Sequence, residues 1–148
     1  MVAVNRSRIW LGALAGGVVW NAWSMLVHTV ILGPRYVQAQ EAGQLLPQPR
    51  YGLFLPIWIL ALFVLSWGIA MLYAATRATC GAGFKTAVWI GTMVGFAAGF
   101  PINFSLTAWA PFDRHLPLWW TLDMWVGAML AAIVAGWLYR DNGRAAAV

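Results

Sequence analysis

Polar side chains that could do acid–base chemistry are few inside the apolar segments of this chain. The set comprises Asn21, Ser24, His28, Asn103 and Asp123. An ionised aspartate at the centre of a membrane-spanning helix costs about 2.5–3.5 kcal/mol on insertion scales, so it needs a partner or a proton. Asn21, Ser24 and His28 have i, i+3, i+7 spacing and share one helix face. A histidine or an asparagine amide is therefore expected to donate to Asp123.

Two interpretations of this polar set stay open. In the functional one, Asp123 and His28 form a buried titratable pair facing the outer side of the membrane. Such a pair could relay protons, bind the polar head of a ligand, or coordinate a metal together with waters. In the structural one, the polar groups only hold helices together, and such bonds average about 0.6 kcal/mol in one membrane protein. We favour the structural interpretation, although ionisable groups inside a membrane are functional candidates by default.

The composition places the chain in a membrane. Of its 148 residues, 62% are hydrophobic and 9% are charged, whereas soluble domains carry about 25% charged residues. We expect a single domain covering residues 1–148. The net charge of +5 comes from scattered basic residues at segment ends, which argues against nucleic-acid binding. The single Cys80 excludes an internal disulfide and a multi-cysteine metal site, and no motif indicates a metal or another cofactor.

Four apolar segments are long enough to cross a bilayer, which takes about 20 residues. They cover residues 9–32, 51–75, 86–107 and 117–139. Gly33-Pro34 ends the first segment because proline cannot continue the helical hydrogen bonds, and a short surface helix is predicted near Val37–Gly43. Pro101 is predicted to kink the third segment. The predicted fold class is an all-α integral membrane four-helix bundle.

The basic residues predict the orientation. With the N-terminus inside, six of them fall on the cytoplasmic side: Arg6, Arg8, Arg77, Lys85, Arg140 and Arg144. Three fall on the other side: Arg35, Arg50 and Arg114. Because cytoplasmic loops carry the excess of Lys and Arg, we expect both termini in the cytoplasm.

Small residues recur every four positions along two of the segments. The third segment carries Gly91, Gly95 and Gly99 before Asn103, and the fourth carries Gly127, Ala131 and Ala135 after Asp123. This spacing lets two helix backbones approach closely. An antiparallel hairpin of the two segments would place Asn103 level with Asp123 and Gly91 level with Ala135. Gly12 and Gly16 form a further G-x-x-x-G pair, which could dock within the chain or on another protein.

Several short runs carry a family resemblance. They are the run Gly16 to Trp23, the run Leu32 to Tyr36, Gly99-Phe100 before the proline, and the acid Asp123 early in the fourth segment. With these features the chain resembles a family of small uncharacterised four-helix bacterial integral membrane proteins, a domain of unknown function. The resemblance covers most of the chain and implies a bacterial inner membrane. It carries over no catalytic residue.

Three functions are predicted, in order of preference. The first is a non-catalytic accessory or scaffolding subunit of a larger bacterial membrane complex, partnered by lipid and other membrane subunits. It is favoured because catalytic motifs are missing while small-residue faces and eleven tryptophans remain for packing. The second is a small oligomeric transporter or channel with a polar site around Asp123 beside the kinked helix. The third is a membrane redox or ligand-binding subunit using His28 and Asp123, a pair too small to name a reaction.

Overall fold

The structure, a computed structural model, describes residues 5–140, and every regular element in that range is helical. In chain order the elements are α1 (Arg6–Leu26), a π turn (Val27–Ile31), α2 (Gly33–Glu41), α3 (Phe54–Cys80), α4 (Phe84–Trp109) and α5 (His115–Leu138). Four of the helices are long and apolar enough to cross a membrane, as predicted, when α1 is counted together with its π turn. Arg144, counted in the orientation argument, lies outside the described residues.

The first helix ends differently from the prediction. Asn5 caps its start, where the side chain accepts a hydrogen bond from the Arg8 backbone N–H at 3.2 Å. At its other end the last turn is a π turn, in which the N–H of Leu32 donates to the carbonyl of Val27 at 2.9 Å. Helix α2 follows at once from Gly33, earlier than the predicted Val37, because Pro34 is well suited to a first helical turn.

Helix α3 is displaced along the chain relative to the predicted second segment. It begins at Phe54 and continues to Cys80, so the first half of residues 76–85, the loop between the second and third predicted segments, is helical. It ends at Gly81, whose φ of 84° is rarely adopted by residues that carry a side chain. Helix α4 continues through Pro101 to Trp109.

Helix α5 contacts all three of the other long helices, α1, α3 and α4. Three small residues of α5 face α1, and each is paired with a residue of α1. These pairs recur every four residues along both helices. A Cβ on Gly12 would lie 3.1 Å from Ala135 Cα, and one on Gly16 would lie 2.9 Å from the Ala131 carbonyl oxygen. The next pair is Gly127 against the fully buried ring of Trp20. The Gly12–Gly16 pair therefore docks within the chain.

The glycines of α4 pack on a neighbouring face of α5. A Cβ on Gly91 would lie 2.6 Å from Met129 Cα, and one on Gly95 would lie 2.7 Å from Trp125 Cα. The predicted register, with Gly91 level with Ala135 and Asn103 level with Asp123, is therefore wrong. The observed pairing differs because α1 occupies the face of α5 that carries Gly127, Ala131 and Ala135. Helix α4 therefore packs against Met124, Ala128 and Ala132.

Candidate functional site

Within residues 5–140, Asp123 is the one carboxylate inside a long helix; it lies near the start of α5 and is 1% exposed. Ser24 of α1 donates its hydroxyl to Asp123 Oδ2 at 2.9 Å. The Nε2 atom of His28, in the π turn, lies 3.1 Å from the same oxygen. His28, a predicted partner of Asp123, and Ser24, a member of the predicted polar set, thus both contact Asp123. The facing pairs Gly12–Ala135, Gly16–Ala131 and Trp20–Gly127 form a stripe along the α1–α5 contact, and Ser24 and Asp123 are its next pair.

Two aromatic residues complete this network, and sequence reasoning missed both. The Tyr36 hydroxyl of α2 lies 2.7 Å from His28 Nδ1, and Trp120 Nε1 donates to the Tyr36 oxygen at 2.6 Å. Trp120 precedes Asp123 by three residues and so shares its helix face, which is a usable signal. Tyr36 reaches His28 because the chain turns back at Gly33-Pro34, and no local periodicity reports that turn.

The phenol of Tyr36 links Trp120 to His28. An indole N–H can only donate, so the Tyr36 oxygen accepts from Trp120. His28 lies between Tyr36 and Asp123, with Nδ1 2.7 Å from the phenol oxygen and Nε2 3.1 Å from Oδ2. Burial raises the pKa of Tyr36 to about 12; the Trp120 hydrogen bond opposes this shift, and the Asp123 charge adds to it. The phenol therefore stays protonated at neutral pH.

One oxygen of Asp123 has no partner. Oδ1 is buried and makes no hydrogen bond with any described residue. Leaving a buried polar atom unpaired costs roughly 1–3 kcal/mol, and more for a charged group. Within residues 5–140 no lysine or arginine forms an ion pair with Asp123, and its one such contact is with His28.

The two asparagines do not meet Asp123. Asn103 donates to the Gly99 carbonyl at 2.8 Å, and Asn21 donates to the Gly17 carbonyl at 2.8 Å. Each amide therefore bonds the preceding turn of its own helix, and the expected amide–carboxylate contact is wrong. The register of α4 explains Asn103, which lies level with the first turns of α5 rather than with Asp123.

A cavity of about 790 Å³ opens beside this network, within the range of roughly 300–1,000 Å³ that small-molecule sites occupy. Its polar lining comes from Asn21, Ser24, His28, Tyr36, Asn103, Trp120 and Asp123, joined by Gln40, Gln48 and Arg50 at the loop. The opposite walls are apolar and come from α3 and α4, including Leu55, Trp58, Ala98 and Ile102. The site thus joins a buried carboxylate to an apolar space.

Helix α2 is fixed over this end of the helices by two kinds of contact. Leu32, Ala39 and Leu116 form a buried apolar cluster beneath it. On the surface, Arg35 donates to Asp113 Oδ2 at 2.6 Å. The hydrogen bonds from the backbone N–H and ring of His115 to Oδ1 lower the pKa of Asp113, and the Arg35 charge lowers it further.

A metal would find few ligands at this site. Among residues 5–140 no group of three His, Cys, Asp or Glu side chains is placed to hold a metal ion. Among the cavity-lining residues that the structure describes, only His28 and Asp123 belong to these four residue types.

Comparisons with protein-family models, curated proteins and solved structures give no match. The resemblance to small four-helix bacterial membrane proteins therefore stays a prediction.

Proposed function

We propose that this protein is a multi-pass membrane protein that binds a small, largely apolar molecule in the cavity beside Asp123. The observation that carries the proposal is the unpartnered Oδ1 of a carboxylate that lines a space of about 790 Å³. Among the five buried side-chain polar atoms of residues 5–140 that have no hydrogen bond, Oδ1 is the one that belongs to an ionisable group. The predicted ligand-binding function of His28 and Asp123 is therefore favoured, with Ser24, Tyr36 and Trp120 as supporting residues.

The surface of the long helices supports a membrane location. Large apolar side chains stay exposed along them, among them Leu60, Val64 and Ile102 at 61%, 58% and 65%. In water such surfaces mark contact sites, whereas lipid covers them without a partner protein.

We further propose a bacterial inner membrane with both termini in the cytoplasm. The two described chain ends lie together, because the Asn5 N–H donates to Tyr139 Oη at 3.1 Å. Arg77, near the end of α3, donates to the Tyr139 carbonyl at 3.5 Å, so exposed Cys80 lies at that end too. A membrane-impermeant thiol reagent should leave Cys80 unlabelled in intact spheroplasts and label it in inverted vesicles. The reverse pattern would show the opposite orientation.

The binding function is tested by filling the cavity. Ala98 lines the cavity, while its neighbour Ala97 is exposed and does not. Native mass spectrometry of the gently extracted wild-type protein should show a bound small molecule. Ala98→Leu should lose it, and the matched Ala97→Leu should keep it. Ile102→Trp, at an exposed cavity-lining position, should also reduce occupancy with little change to the buried packing.

Two outcomes of this experiment would refute the binding function. One is a wild-type protein that carries no small molecule in any preparation. The other is a bound molecule that Ala98→Leu and Ile102→Trp retain as fully as wild type, since the ligand would then bind elsewhere.

The accessory-subunit and transporter functions stay predictions. The native mass after mild extraction separates them, since several unrelated subunits favour the first and a homo-oligomer favours the second.

A further inference from the structure

We propose that the cavity ligand is a cationic amphiphile, with an amine or ammonium head at the Asp123 end and an apolar body against α3 and α4. This proposal rests on the binding function above and specifies its ligand class. Three observations carry it: the charge balance of the polar end, the aromatic lining, and the apolar opposite wall.

The charge balance follows from the hydrogen bonds. Ser24 and His28 both hydrogen-bond Asp123 Oδ2, and within residues 5–140 no lysine or arginine pairs with this carboxylate. Oδ1 keeps its acceptor capacity unused. In surroundings of low dielectric, a cationic head gains far more from such a carboxylate than it would in water.

Arg50 is the one cationic side chain among the cavity-lining residues of the described chain, and it is exposed on the loop before α3. Water and salt weaken the field of Arg50, and they weaken that of buried Asp123 much less. Oδ1 is closed to water in this structure, so the cationic head acts on the carboxylate through its charge across the cavity. The head is thus drawn to the deep end, and Arg50 disfavours a cation at the loop.

The aromatic residues favour the same ligand. Tyr36, Phe54, Trp58 and Trp120 all line the cavity. Faces of tryptophan and tyrosine attract ammonium groups, and an aromatic pocket with a carboxylate is a common recognition site for amines. Leu55, Ala98 and Ile102 offer apolar surface to the body of the ligand.

The test compares three molecules with one chain and different heads: octylamine, octanol and octanoate. Each competes with a diazirine-bearing octylamine probe for photo-crosslinking to the wild-type protein in lipid nanodiscs, and the labelled residues are mapped by mass spectrometry. We expect labels on cavity-lining residues of α3 and α4. Octylamine should compete at least about tenfold better than octanol or octanoate, a difference of about 1.4 kcal/mol. Asp123→Asn, which keeps the shape and removes the charge, should abolish this preference.

The outcomes separate the ligand class from the binding function. Equal competition by octylamine and octanol, or a preference for octanoate, overturns the cationic ligand and leaves cavity binding in place. A preference for octylamine that survives in Asp123→Asn also overturns it. If the cavity-lining residues are not labelled and none of the three molecules competes, the binding function itself fails. The selectivity of the wild-type protein decides the matter even if Asp123→Asn does not fold.

Discussion

Replacing Gly16 by alanine should weaken the hydrogen bond between Ser24 and Asp123, although Gly16 lies about two helical turns from Ser24. The added Cβ would lie 2.9 Å from the Ala131 carbonyl oxygen, and ordinary contact begins near 3.4 Å, so α1 and α5 must separate by about 0.5 Å. The same separation carried along the stripe would lengthen the Ser24–Asp123 hydrogen bond from 2.9 Å to about 3.4 Å, beyond the usual range for O–H···O bonds. We expect an overall loss of about 1–3 kcal/mol of stability, typical of overpacking.

A double-mutant cycle measures the loosening of the site itself. Ser24→Ala removes a hydrogen bond to a buried carboxylate and should cost roughly 1.5–3 kcal/mol in the wild-type background. In the Gly16→Ala background it should cost at least about 0.5 kcal/mol less, because the bond is already stretched. The free energy of unfolding is measured with denaturant in mild detergent.

Gly95→Ala is the matched control for this cycle. Its Cβ would clash with Trp125 Cα at 2.7 Å, so it should destabilise the α4–α5 contact without touching the α1–α5 stripe. Ser24→Ala should cost the same with or without it. Gly68→Ala, with nothing within 4 Å, should cost nothing and gain up to about 1 kcal/mol of helix propensity. Strict additivity of Gly16→Ala and Ser24→Ala would refute the reasoning.

Three further predictions concern α2 and its contacts. Tyr36→Phe should cost about 1–3 kcal/mol in the same unfolding assay, because it leaves Trp120 Nε1 and His28 Nδ1 without a partner; an unchanged stability would contradict the network. Because the folded pKa of Tyr36 is raised from 10.0 to about 12, its contribution is complete below pH 10 and is lost as the pH rises towards 12. A phenolate absorbance component titrating near 12 should be absent from Tyr36→Phe. The pKa of Asp113 is lowered, so its stabilising contribution is present above its ordinary value of 3.8 and is lost as the pH falls through the folded value. Asp113→Asn should remove part of the acid sensitivity of unfolding, and an identical acid profile would contradict this. Arg35→Ala, which breaks an exposed pair, should cost no more than about 1 kcal/mol, and less in high salt.

The four long helices were predictable because length and apolar composition alone identify a candidate span. Their ends were harder, since α3 extends to Cys80 through Arg77 and Thr79, which look like loop residues in the sequence. Proline was informative only by position: Pro34 marks the start of α2, whereas α4 continues through Pro101.

The partner of each small-residue stripe was not predictable from spacing. A four-residue repeat identifies a face of a helix that allows close approach, but it does not say which helix approaches. Gly127 and Ala131 could serve either neighbour, and the fully buried Trp20 of α1 takes the place beside Gly127. The π turn could not be predicted from the spacing of residues either, because that spacing is interpreted with α-helical hydrogen bonds throughout. Tyr36 joined the site only through a tertiary contact.

The position of Asp123 in the stripe bears on the proposed binding function. The rungs at Gly127, Ala131 and Ala135 are filled by small residues, which bring α1 and α5 together at no electrostatic cost. An alanine or serine at position 123, facing Ser24, would allow the two helices to approach equally well. Asp123 instead stands where the stripe reaches the cavity, with Oδ2 held by α1 and Oδ1 left without a partner. Ser24 and His28 bond Oδ2 alone, so the proposed binding function assigns the remaining charge of Asp123 to a molecule that the cavity admits.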